Sequence, residues 1–123
     1  MNTWLLVAAI NGFIAVATGA FAAHGLQGRI DAHALSVFET GSRYQMYHAL
    51  AIGFTALAAR GAAASAANAA AIFFLAGIVL FSGSLYALAL TGIRGLGIVT
   101  PFGGLSFLVG WTALAWAAAK RVA

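Results

Sequence analysis

The chain has 123 residues, 63% of them hydrophobic and 7% charged, with a mean hydropathy of +1.00. A water-soluble domain of this size cannot cover so much apolar surface, so the solvent for most of it is lipid. The net charge of +4 comes from scattered basic residues without the clustered patch that phosphate backbones require, which argues against nucleic acid; the absence of cysteine excludes disulfides and thiolate chemistry.

Lipid admits only helices or closed barrels, and the apolar runs here are rich in Ala and Leu without strand alternation. The expected fold class is therefore all-α: a single polytopic domain, with four transmembrane helices in a bundle and a short interfacial helix between the first and second. The first span, residues 3–23, matches a hydrocarbon core of about 30 Å at about 1.5 Å per residue. Ala20-Phe21-Ala22 has the small-x-small form of a signal cleavage site, but no Lys or Arg precedes the apolar run, which argues against a cleaved signal. Asn11, Ala15, Thr18 and Ala22 share one face, beside a row of small residues that includes Gly19, so this face turns inward with Asn11 as an interhelical hydrogen-bonder.

His24 to Arg29 holds two glycines and three polar side chains, and reads as a turn. Residues 30–43 carry the pattern of an interfacial amphipathic helix, with Ile30, Ala34, Leu35, Val37 and Phe38 against Asp31, His33, Ser36, Glu39 and Thr40. Asp31 suits its positive end. The second span, about 44–60, is shorter than the first unless the helix continues from the preceding segment, and it begins in the polar cluster Arg43 to His48, which must lie at a boundary or face into the bundle. Within this region the spacing allows a Glu39–Arg43 pair, and Tyr44, His48 and Thr55 fall on one face.

The alanine-rich segment from Ala58 to Ala71 reads as a tight helical turn with Ser65 or Asn68 as N-cap, followed by a third span over 69–91. That span carries Gly83 among its small residues and hydroxyls at Ser82, Ser84 and Tyr86. After a short connection, Thr100-Pro101 is a helix start signal for a fourth span over 101–119, packed through Gly103, Ser106, Gly110 and Ala113. Trp111, Trp116, Lys120 and Arg121 serve as interfacial anchors. Arg60, Lys120 and Arg121 at one end balance Arg29, Arg43 and Arg94 at the other, so the positive-inside rule assigns no orientation.

Gly19-Ala20-Phe21-Ala22-Ala23-His24-Gly25-Leu26, Tyr44-Gln45-Met46-Tyr47-His48-Ala49-Leu50, Phe81-Ser82-Gly83-Ser84-Leu85-Tyr86, Thr100-Pro101-Phe102-Gly103-Gly104 and Gly110-Trp111 occur in this order. Together they resemble the domain-of-unknown-function 423 family, which includes relatives of transmembrane protein 256. Ala22 stands where that family's first motif usually has glycine. The resemblance implies a small integral membrane protein of about four helices, located in the inner (plasma) membrane of bacteria, with no agreed activity.

The candidate ligand-binding set is His24, Arg43, Tyr44, Gln45, Tyr47 and His48. A helical hairpin puts His24 and His48 on one membrane side, where imidazoles suit zinc, copper or haem iron. Against this, the chain has no His-x-x-x-His pair, no thiolate and only two carboxylates, so no metal site, cofactor or catalytic residue is assigned. The tyrosines and Gln45 beside Arg43 suit a lipid headgroup or a quinone, and an aromatic belt accounts for them equally. The helix-packing positions are Asn11, Gly19, Gly83, Gly103 and Gly110.

The functional expectation is a structural or accessory membrane protein that contacts lipids and forms a homo-oligomer or a subunit of a larger membrane complex. A small transporter or channel is the alternative. A protein binding a histidine-held cofactor, a quinone or a lipid is the third reading.

Overall fold

The computed structural model describes residues 1–122, with side chains described as far as Lys120. Arg121, expected as an anchor beside Lys120, lies outside the described side chains. The described backbone forms four helical rods. The first is α1 (Thr3–Phe21), capped by the Asn2 side chain and prolonged by a π-helical turn over Ala22–Leu26. Glycine at φ 83° in Gly28 then reverses the chain.

The second rod, α2 (Ala32–Ala58), corrects the expected organisation of this region. The amphipathic segment over 30–43 and the span over 44–60 are not separate elements; they form one unbroken helix. Asp31 caps it, its carboxylate accepting from the Ala34 amide at 2.7 Å. No proline interrupts the helix, and the polar cluster at its centre separates by face rather than by membrane depth: Gln45 and His48 are buried while Arg43, Tyr44 and Tyr47 are exposed. The expected Glu39–Arg43 pair is replaced by a hydrogen bond from Arg43 Nη2 to Thr40 Oγ1 at 3.2 Å.

The third rod begins with a 3-10 turn at Gly61–Ala63 and runs through α3 (Ala64–Gly77), a π-helical turn (Ile78–Ser82) and α4 (Gly83–Thr91). Its start precedes both residues expected to cap it. Gly61, at φ 55°, makes the turn, and alanine, the best helix former, carries the helix past Ser65 and Asn68. Asn68 instead accepts the Trp4 indole at 3.1 Å. Gly92, at φ 71°, ends the rod. A 3-10 segment (Arg94–Ile98) leads to α5 (Thr100–Val122), with Pro101 in its first turn.

Helices α1 and α2 form an antiparallel hairpin, α2 also packs on α3 and α4, and α5 packs on α3 and the second π turn. The inner rods are therefore α2 and α3–α4. Ala51, Ile52, Ala70, Phe74, Ile78 and Phe107 make the central core, while Ala63, Ala67 and Ala117 close one end. Alanine contacts let the backbones approach closely where burying large side chains offers no gain over lipid. The outward faces are apolar: Phe13, Val16, Leu50, Phe54, Val79, Phe102 and Leu108 are all exposed. Three rods, Thr3–Leu26, Gly61–Thr91 and Arg94–Lys120, are long and apolar enough among the described residues to cross a membrane. α2 is the most polar of the four.

Candidate functional site

The buried stripe of α2 runs through Phe38, Gly41, Ser42, Gln45, His48, Ala49, Ile52 and Thr55. Two of its polar members, Ser42 and Gln45, fall where α1 and the third rod both approach and bond to other helices, while Thr55 donates to the Ile52 carbonyl of α2 itself. Asn11 Nδ2 donates to the Val7 carbonyl at 2.9 Å, Gln45 Nε2 donates to Asn11 Oδ1 at 3.0 Å, and the Tyr86 hydroxyl donates to Gln45 Oε1 at 2.7 Å. The Tyr86 oxygen lies 3.1 Å from Thr18 Oγ1.

The direction of this chain follows from its first acceptor. A carbonyl only accepts, so Asn11 presents its nitrogen to Val7 and its oxygen to Gln45. Gln45 must then turn its nitrogen to Asn11 and its oxygen to Tyr86, and Tyr86 must spend its only proton there. Thr18 is left to donate either to Tyr86 or to the Ala15 carbonyl, 3.1 Å away. Two further hydroxyls bond across helices: Ser42 to the Ala15 carbonyl at 2.8 Å and Ser82 to the Gly41 carbonyl at 2.7 Å. Gly41 makes room for Tyr86, since a Cβ there would stand 2.9 Å from its ring.

His48 lies deeper along α2, in an aromatic cluster. Its ring is stacked on Phe107 with centroids 3.5 Å apart and planes within 6°, and Phe74 and Trp111 approach its edges at 5.6 and 5.9 Å. Nδ1 lies 2.7 Å from the Tyr44 carbonyl, and the Trp111 indole N–H points to Nε2 at 3.1 Å. The carbonyl accepts and the indole only donates, so the ring is a neutral imidazole protonated on Nδ1. Both nitrogens are occupied.

The six candidate ligand-binding residues are brought together only in part: Tyr44, Tyr47 and His48 line one groove between α2 and α5, and the other three do not line it. His24 is exposed on the π turn at the end of α1. Gln45 opposes Asn11 and Ser42 opposes Ala15, so His48 stands roughly 20 Å along the hairpin from His24, at about 1.5 Å per residue. Gln45 belongs to the buried hydrogen-bond chain. Arg43 and Tyr47 lie on the outer face of α2, and Tyr44 packs against Tyr47 and Phe81. Among the described residues no three His, Cys, Asp or Glu side chains gather as a metal-holding group.

Of the glycines singled out for packing, Gly19 faces Ser42 Oγ, Gly103 faces the Phe81 backbone and Gly110 faces the Phe74 ring. Gly83 does not pack: a Cβ there would meet nothing within 4 Å, because the preceding π turn rotates it to the outside. Sequence reasoning missed Ser42, Tyr86 and Phe107 as members of these clusters. The usable signal was the Phe38, Ser42, Gln45, Ala49, Ile52 spacing, visible only when 30–60 is read as one helix.

Residues 18–104 match the family model described as Protein of unknown function (DUF423). The chain is 47% identical over 114 residues to a UPF0382 membrane protein of Staphylococcus aureus, covering 93% of each. It is 45% identical over 121 residues to the UPF0382 membrane protein YwdK of Bacillus subtilis, covering 98% of each. A UPF0382 membrane protein of Haemophilus influenzae is 45% identical over 123 residues, covering 97% of this chain and 95% of that protein. No solved structure matches.

Proposed function

Because the chain belongs to the DUF423 family, whose bacterial relatives are named UPF0382 membrane proteins, we propose that this integral membrane protein is a structural or accessory component built on four membrane-crossing rods. In this reading α2 is the fourth crossing rod, and the protein resides in the inner (plasma) membrane. Its 27 residues extend roughly 40 Å, longer than a hydrocarbon core of about 30 Å, and its outer face carries exposed Leu50, Phe54 and Leu57.

The observation that carries the reading is how the interior polar groups are used. Asn11, Ser42, Gln45, Ser82 and Tyr86 are hydrogen-bonded to residues on other helices. Carriers keep ionisable groups or unwound backbone at mid-depth to bind and release a substrate. Here the buried amides and hydroxyls bond one another and tie α1, α2 and α4 together, and buried His48 has both ring nitrogens occupied. Such bonds favour one arrangement of the rods and leave the outer surface for lipid or protein neighbours. Pull-down and native mass spectrometry in mild detergent are expected to recover a self-oligomer or a stoichiometric partner. A strictly monomeric, partner-free protein overturns the proposal.

A further inference from the structure

We propose that the cavity between the first turns of α2 and the last turn of α4 is a headgroup site for an ethanolamine-type zwitterionic phospholipid, with the lipid phosphate on Arg94, its ammonium on Asp31 and the start of an acyl chain against Val37, Leu88 and Ala89. The inference rests on the reading of α2 as a membrane-crossing rod, which sets the depth of this cavity. Gln45 is the middle residue of α2, so a hydrocarbon core of about 30 Å centred there takes in about ten residues on either side. Asp31 and His33 fall beyond it, at headgroup level, and Arg94 follows the end of the third rod at Gly92. Val37 falls within the core, and Leu88 and Ala89 lie one turn inward of Gly92.

The cavity has a volume of about 680 Å³, and its rim carries a cation and an anion that do not neutralise each other. Among the described residues the exposed Arg94 guanidinium makes no hydrogen bond or ion pair, and the Asp31 carboxylate holds the Ala34 amide through Oδ1 alone. A phosphodiester matches the planar guanidinium fork, and a primary ammonium supplies N–H groups for the remaining carboxylate oxygen. His33, on the same rim, adds a ring N–H for a phosphate oxygen. A choline ammonium has no N–H for the carboxylate, and a glycerol headgroup has no cation. Below the rim the wall of Val37, Leu88 and Ala89 is apolar, so a lipid fills the site where a soluble phosphoethanolamine leaves that wall uncovered.

The test uses the full-length protein in nanodiscs of equal parts phosphatidylethanolamine, phosphatidylcholine and phosphatidylglycerol, with retained lipids counted by native mass spectrometry. The wild type is expected to retain the ethanolamine lipid several-fold above its share, and excess glycerophosphoethanolamine is expected not to displace it. Arg94→Gln and Asp31→Asn each bring retention toward the bulk ratio, while Arg60→Gln at the opposite end leaves the pattern unchanged. Asparagine caps a helix as well as aspartate does, so Asp31→Asn removes the charge and keeps the start of α2; all three positions are exposed, and thermal melts confirm that the variants are folded. Wild-type retention in the bulk ratio, an unchanged preference in Arg94→Gln or Asp31→Asn, or displacement by the soluble headgroup overturns the inference. The chain has no cysteine, so Ala32→Cys and Arg60→Cys report the two ends of α2 in intact spheroplasts, where a membrane-impermeant maleimide is expected to label only one of them. Labelling of both or of neither overturns the crossing of α2 itself; labelling of one, with lipid retained in the bulk ratio, overturns the lipid site alone.

Discussion

Gln45 joins Asn11 to Tyr86: its amide nitrogen donates to one at 3.0 Å and its oxygen accepts from the other at 2.7 Å. Three rods are thereby tied through one uncharged side chain. Gln45→Leu leaves the Asn11 oxygen and the Tyr86 hydroxyl without these partners and is expected to cost about 1–3 kcal/mol. Tyr86→Phe removes one bond and is expected to cost about 1 kcal/mol. The double variant costs less than the sum, because both changes break the same bond. Unfolding in mixed micelles measures all three, and strict additivity would show that the two residues are not coupled.

Gly103 and Gly83 give opposite results on substitution by alanine. A Cβ at Gly103 lands on the Phe81 backbone, which cannot swing aside, so Gly103→Ala is expected to destabilise by about 1–3 kcal/mol. Gly83→Ala meets open space and gains helix propensity, stabilising by up to about 1 kcal/mol. Thermal melts in one detergent compare them directly; equal effects would refute the π-turn placement of Gly83.

His48 is held in one tautomer by the Tyr44 carbonyl and the Trp111 indole. Nitrogen NMR of histidine-labelled protein is expected to show a protonated Nδ1 and a bare Nε2. Trp111→Phe removes the donor to Nε2 and is expected to cost about 1 kcal/mol while shifting the Nε2 resonance. A ring protonated on Nε2 in the wild type contradicts the assignment.

Asp31→Ala removes the side-chain cap of α2 and is expected to destabilise by about 1 kcal/mol. Hydrogen exchange locates the effect: amides of Ala34 and Leu35 lose protection while those near Ile52 keep it.

Composition and local pattern determined the solvent, the helical class, the Asp31 start of an amphipathic segment, and the start of α5 at Thr100-Pro101. These depend on transfer free energies and backbone preferences that each residue carries with it. What Arg43 to His48 does was decided only by tertiary structure. Read locally, a run of polar and amphipathic residues marks a boundary; folded, it divides around one helix, with Gln45 turned to α1 and α4, His48 to α5, and Arg43 outward. The hairpin register separates His24 from His48, and the π turn before Gly83 moves that glycine off the packed face. A side chain's partner depends on which rods lie beside its helix and at what offset. Those quantities come from packing between distant segments, and no short window of sequence contains them.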